Sequence, residues 1–483
     1  MPKKNTSNAE PGHRNKIYEV LCCLDEPTRR RLLRFLRSPY FVQSKTLEPL
    51  CEALLAPARK NAEQGFDRQA VWAALQPGTP YDDVLFRKQC SELLKWTEVF
   101  MAEESFRARD TQMPLATLDY VVRHKIGPLN QSALQAARSA IEAKPLRPVE
   151  DIHAAYLLER QYYAMMDFDV KVNVRANLEE ISHHLDVFYW IEKLKVYSAM
   201  LSQQRTAQFE YQLECLPQIR DFLATYPVDS VPELAIYYYS FLTLLEAEQE
   251  EHYTKLRGFL DKFGALLPQQ EAVELFEAAL HYCAGKWNQG KAHFFQEYFD
   301  LSEMAIQKGI FLQKNELAAW RFNNMVGSAI RINRLEWAEQ FVENYKHLLP
   351  PDTRENTYTF NLARIYRYQR KYDRVLRLIQ NVEYADVGYY LISKAMLIIT
   401  YYETNDTDAL ERLLQTFRVY LNRQKAIPQA RRQGYLNLIR YARKLLIVNP
   451  LDKKSVAALR QEIEEKKAGI VNYEWLLEKL AEL

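Results

Sequence analysis

Four clusters in this chain carry residue types that could do chemistry. Gly285-Lys286-Trp287-Asn288-Gln289-Gly290-Lys291 spells GxxxxGK. That pattern cradles phosphates when a strand leads in and a helix N-terminus follows. Here Glu271 to Ala284 reads as helix, and Ala292 lacks the hydroxyl that would hold magnesium. The segment is expected to be a turn with glycine at a helix end. His183 and His184 with Asp186 are the densest group among the nine histidines, and no HExxH occurs. Neighbours on a helix point about 100° apart, which suits one metal ion poorly. Asp167 and Asp169 could pair as carboxylates, but no base, nucleophile or metal partner lies near them in sequence. A helix-terminus or loop role is expected. Arg29, Arg30, Arg31, Arg34 and Arg37 could grip phosphates, or form a solvated face opposite Leu32, Leu33 and Leu36. Cys22 and Cys23 read as buried packing. The expectation is a protein that is no enzyme, with no catalytic residues, metal or cofactor.

Composition sets the frame for what must position any site. Thirteen glycines in 483 residues are well under half the usual ~7% share, which disfavours sheets and hairpins. The 31 tyrosines suit the seams between helices. The net charge of +2 exerts no global pull on nucleic acid or membrane. Locally the balance varies: Arg205 to Leu280 holds 13 acids and 5 bases, and Glu411 to Arg460 holds 12 bases and 2 acids. The six cysteines are dispersed, with no CxxC pair, and no signal peptide or membrane-length apolar run is visible. A cytoplasmic protein is expected, without a membrane partner.

The elements follow from caps and breakers. Residues 1–14 are polar and read as a disordered tail. Residues 15–110 read as an N-terminal helical module. Asp25 caps a helix that holds Pro27 in its first turn and stops at Ser38-Pro39. Helices are predicted near 45–56 and 67–76, and Pro77-Gly78-Thr79-Pro80 is a turn. A long helix follows from Asp82 to Phe106, with Leu85, Phe86, Leu93, Leu94, Trp96, Val99 and Phe100 at helical spacing. Residues 111–150 read as a connecting segment, broken by Pro114, Gly127-Pro128, Pro145 and Pro148, with a helix near 130–143. Helical hairpins then fill 151–483. Their first helices are predicted near 187, 231, 269, 313, 354, 388 and 428, with prolines at several seams. Hairpins of this size must stack to bury their apolar faces.

Three units carry a family resemblance. One from Ala319 has small Ala338, bulky Val342 and closing Pro350. One from Asn356 has Leu362, Ala363 and Tyr366, then Tyr372. One from Tyr390 has Ala409 and Leu413. In these positions the chain resembles tetratricopeptide repeats. The resemblance implies an all-α fold, a right-handed α-solenoid of helical hairpins behind the small helical module. In the family's register the concave groove would carry Asn323 and Arg331, then Arg364, Arg367 and Tyr368, then Lys394, Tyr401 and Tyr402. The next first helix would add Arg431, Arg432, Arg440, Arg443 and Lys444. Arginine forks suit carboxylates, so the expected activity is that of a scaffold or adaptor binding a protein or acidic peptide. The Lys-Asn clamp of chaperone-binding members is not reproduced. Two other classes compete. Arg68 to Phe100 loosely resembles the DNA-binding part of bacterial activators that place a winged helix before such repeats, which would make the chain a nucleic-acid-linked regulator. An enzyme on a helical scaffold would need polar residues that chain order conceals.

Overall fold

Acidic caps start many of the helices. In the computed structural model, which describes residues 15–60, 65–166, 168–206, 209–379, 387–424 and 426–483, carboxylates accept from backbone amides two and three residues on. Asp25 Oδ1 accepts from Thr28 N at 2.8 Å, and Asp82 from Val84 and Leu85 at 3.0 Å. Asp406 and Asp452 do the same later in the chain. The predicted tail at 1–14 and the aspartate at 167 lie outside the described residues, as does the side chain of Asp169.

The chain is all-α and divides into two compact units, residues 1–189 and 190–483. The first unit begins with α1 (Lys16–Cys23), α2 (Glu26–Arg37), α3 (Leu47–Lys60), α4 (Arg68–Leu75) and α5 (Asp83–Arg107). Tyr18, Leu32, Leu50, Trp72, Phe86 and Leu93 form their common core. The turn before α5 holds Trp72, whose Nε1 donates to the carbonyl of Pro80 at 3.0 Å. Gly78 takes φ +80° in that turn. Next come α6 (Gln112–Arg123), α7 (Asn130–Glu142) and α8 (Val149–Met165), which share a core through Leu118, Leu134, Ile141 and Leu158. The prolines of 111–150 therefore sit at helix starts and loops around two packed helices. Thr111 Oγ1 donates to buried Asp151 at 3.0 Å, and Lys144 reaches the other oxygen at 2.7 Å. The short α9 (Phe168–Asn173) and the long α10 (Leu178–Thr206) follow, and the division between the units falls inside α10. No breaker interrupts 178–187, so α10 starts nine residues before the predicted 187.

The second unit continues with α11 (Leu216–Thr225) and then runs in hairpins. These are α12 (Pro232–Leu245) with α13 (Glu250–Phe263), and α14 (Gln269–Asn288) with α15 (Phe294–Gln307). A β-hairpin of β1 (Leu312–Gln313) and β2 (Glu316–Leu317) precedes α16 (Ala319–Arg331) and α17 (Leu335–Tyr345). Then come α18 (Arg354–Tyr368) with α19 (Tyr372–Ile379), and α20 (Val387–Glu403) with α21 (Thr407–Arg423). The chain closes with α22 (Gln429–Ile447), α23 (Lys453–Glu465) and α24 (Tyr473–Glu482). First helices also touch their successors, α16 on α18, α18 on α20 and α20 on α22. Five predicted starts, near 231, 269, 354, 388 and 428, fall within one residue of a helix. The prediction at 313 meets the β-hairpin instead. Lys314 and Asn315 both take positive φ there, the conformation a two-residue turn needs, and the helix waits until Ala319.

Four turns between paired helices share one geometry. After α14, α16, α18 and α20, one residue enters the left-handed region: Gly290 at φ +94°, Asn333 at +59°, Arg370 at +58° and Asn405 at +58°. In each case the next amide bonds back five residues, as Arg334 N does to Ala329 O and Lys371 N to Tyr366 O, both at 2.8 Å. This closing motif satisfies the last carbonyls of the first helix and turns the chain into the second. Of the family-like positions, Ala338, Val342 and Ala363 are fully buried at the seams, while Ala409 is only partly covered.

Candidate functional site

Within residues 190–483, α16, α18 and α20 line a cavity of about 510 Å³. Tyr435 of α22 and the turn from Ile470 to Glu474 close its far side. Four of the predicted groove residues meet here: Arg331, Arg364, Arg367 and Tyr368. Spacing brings Arg364, Arg367 and Tyr368 together, because residues three and four apart share one helix face, and Arg331 joins them from α16, which packs on α18.

Arg364 is the best-held of them. Its Nη1 donates to the carbonyl of Asn323 at 3.1 Å and to Asn361 Oδ1 at 3.0 Å. Both hydrogens of that nitrogen are thus engaged, and the guanidinium plane is fixed. Asn361 is fully buried and donates to Asn323 Oδ1 at 2.6 Å, and Asn323 donates to the Tyr389 hydroxyl at 2.7 Å. Gly327 makes room for the group. A Cβ at that position would lie 2.8 Å from Arg364 Nη2. Glycine inside a helix costs roughly 0.5–1 kcal/mol against alanine, so the clearance has a measurable price in helix stability.

The wall is electrostatically unbalanced. Among the described residues, none of Arg331, Arg364 and Arg367 forms an ion pair. Arg331 lies over the rings of Phe295 at 4.3 Å and Trp287 at 4.9 Å, and Arg367 over Tyr368 at 4.0 Å. Glu474 is the acidic side chain among the lining residues, and it is exposed. Burial pulls the Arg364 guanidinium down to about 10, and the neighbouring Arg367 charge adds to the shift. Rings hold these cations by their negative faces, but leave their hydrogen-bond donors available.

The other predicted positions go elsewhere. Asn323 braces Arg364 from behind. Lys394 lies 5.0 Å over Tyr390, half-buried, and burial lowers its ammonium. Tyr401 and Tyr402 pack on the core of α20 to α24, with Tyr402 edge-on to Trp475 at 5.3 Å. Arg440 reaches Glu462 at 3.0 Å and Lys444 pairs with the same carboxylate, so both serve the α22–α23 contact. Arg431 is exposed, Arg432 and Arg443 are half-buried, and none of them lines the cavity. Sequence reasoning missed Gly327, Asn361, Tyr435 and Glu474. A glycine in mid-helix is a usable signal; the segment 470–474 carries none.

The remaining chemical candidates do not line the cavity. Gly285 and Lys286 lie in the last turns of α14, and Lys286 is buried with Nζ 2.9 Å from Glu248. Lys291 pairs with Glu250. The GxxxxGK stretch is thus a helix C-terminus, with no strand leading in. His183 and His184 have ring centres 5.4 Å apart. Burial first, then the charges of Arg147 and His183, hold His184 at about 4. Among the described residues no group of acids, histidines and cysteines could hold a metal ion. Cys22 packs against the core, but Cys23 is exposed, contrary to the expectation of burial, because α1 ends there with that face outward. In the basic α2, Arg29 donates to the carbonyls of Leu21 and Cys22, Arg31 pairs with Glu104, and Arg37 with Glu48 and Glu52. After Phe100 the chain stays helical to Arg107, and the one sheet among the described residues is the β1–β2 hairpin. No described helix is long and apolar enough to cross a membrane.

Comparison with family models, with curated proteins and with solved structures finds no match.

Proposed function

We propose that residues 190–483 act as an adaptor, a right-handed tetratricopeptide-like solenoid that holds an acidic segment of a partner protein in the cavity lined by α16, α18 and α20. One observation carries this reading. Three arginines line a single cavity without an ion-pair partner among the described residues. Elsewhere in the chain cations are routinely matched, as Arg257 is with Glu297 and Arg321 with Glu277. Guanidinium forks with open donors in a partly desolvated pocket suit carboxylates better than water does. All six cysteines are free thiols, which supports a reducing, cytoplasmic setting.

The test is fluorescence anisotropy with the full chain and a labelled hexaglutamate peptide. Binding should weaken with salt, and a hexalysine peptide should not bind. Arg364→Glu and Arg367→Glu should each lose affinity by about tenfold or more, a change of about 1.4 kcal/mol. Hexaglutamate that ignores the protein, or binds both variants as it binds wild type, sinks the reading.

A further inference from the structure

Resting on that reading, we infer the group that the cavity is built to receive: a phosphoryl monoester dianion, carried on a side chain of the partner segment. The first ground is the donor count. Arg364 has both Nη1 hydrogens engaged by Asn323 and Asn361, while among the described residues its Nη2 and Nε make no hydrogen bond. Nε and Nη2 form the side edge of the guanidinium, which grips two oxygens of one anion at once. Arg331 and Arg367 add further donors on the same wall. A carboxylate has two oxygens and one charge; a phosphate monoester has three terminal oxygens and about two charges at neutral pH.

The second ground is the charge on the wall. Three guanidinium groups face one carboxylate, Glu474, and the surplus matches a dianion. The third is the way the protein keeps Arg364 in place. A buried asparagine relay fixes its plane, and Gly327 clears the space beside Nη2. Such bracing is what a directional anion contact needs, and a merely solvated cation does not. The fourth is that the basic residues nearby do not extend into a track. Arg440 and Lys444 are matched by Glu462, and Arg460 by Glu464. Nucleic acid presents a line of diester monoanions and favours a stripe; this is a single pocket.

The experiment uses the full chain and labelled alanine peptides with a central phosphoserine, glutamate or serine. The phosphoserine peptide should bind at least about tenfold more tightly than the glutamate peptide, and the serine peptide should not bind. Its affinity should rise between pH 5 and 7.5, as the phosphate loses its second proton near pH ~6. Arg364→Lys keeps the charge but loses the fork, and should lose most of the preference for phosphate over glutamate. Gly327→Ala keeps every charge and should weaken phosphoserine binding by displacing Nη2. Glu474→Gln should strengthen it. Circular dichroism on each variant separates loss of binding from loss of fold. Inorganic phosphate competing at the concentration of the peptide assigns the site to a free phosphoryl ligand; phosphate that competes only weakly assigns it to a phosphorylated side chain. Phosphoserine and glutamate peptides bound equally overturn the phosphoryl inference and leave the acidic-peptide reading standing. Neither peptide bound, with hexaglutamate also inert, overturns both. Displacement by a single-stranded oligonucleotide with a steep salt dependence overturns the inference in favour of nucleic acid.

Discussion

Arg364 illustrates a residue whose charge the fold tolerates at a loss. Its folded-state value of about 10 lies below the ordinary arginine range, so folding disfavours the charged form. The sign follows directly. The penalty is fully present at neutral pH, and is relieved as pH rises through about 10 toward the unfolded value. Arg364→Gln should therefore leave the melting temperature at pH 7 unchanged or slightly raised. The hydrogen bonds to Asn323 and Asn361 that it loses set the limit, at about 1 kcal/mol or roughly 2–4 °C. A thermal scan that shows a fall well beyond about 5 °C would make Arg364 a structural residue. At this scale the shared face of Arg364, Arg367 and Tyr368 was legible in the sequence, because three- and four-residue spacing puts side chains together, while Arg331, on another helix, was reached only through the register of the family it resembles. Asn361 and Glu474 were not. Asn361 acts only through a neighbour, and Glu474 reaches the cavity from a segment more than a hundred residues away in the chain.

At the scale of elements, α24 is fastened by charge as well as by packing. Trp475 and Leu476 sit in the core shared by α20 to α24. Lys479 is 4% exposed, and its ammonium meets Glu403 at 3.0 Å and Glu482 at 2.8 Å. Burial alone would lower it, but the hydrogen bonds to Glu482 and Glu403 outweigh burial and leave it raised. A raised folded value means that the contribution is whole below the unfolded value of about 10.5, and is lost as pH climbs through the folded one. Glu403→Gln should cost about 3 kcal/mol at pH 7, since it weakens the pairing of a buried cation and disturbs the Trp475 Nε1 bond at 2.8 Å. Urea denaturation of wild type and variant at pH 7 and above pH 10.5 should show the gap narrow at the higher pH. A gap that does not depend on pH would assign the loss to packing alone. Hairpin starts were readable from proline and acidic caps. The β1–β2 turn was not, because Lys314 gives no warning of a left-handed backbone.

For the whole molecule, the sequence pointed correctly to an all-α chain, through scarce glycine and recurring helix caps and breakers. It read 111–150 as a connection because it is proline-rich, and two packed helices occupy it. Net local charge was a poor guide to which cations stand unpaired. The basic stretch from Glu411 to Arg460 is partly matched by acids that follow it, Glu462 and Glu464. In α2, Arg29, Arg31 and Arg37 are likewise engaged by the first unit's own acids and carbonyls. A double Arg30→Glu, Arg34→Glu chain should bind hexaglutamate within about twofold of wild type in the anisotropy assay. A larger loss would bring α2 into the binding surface and revive the nucleic-acid alternative.

Arg370 has a kinetic meaning beyond its place in the turn. It holds a left-handed backbone that glycine or asparagine adopts more cheaply, and its side chain pairs with Glu478, 108 residues further along. The helices that supply the arginines are neighbours in sequence and can pair early, by local collapse. The turn from Ile470 to Glu474 must come back across a long loop, whose closure entropy is lost before any contact repays it. On closure entropy alone, the arginine-bearing wall is expected to assemble before the segment that closes its far side.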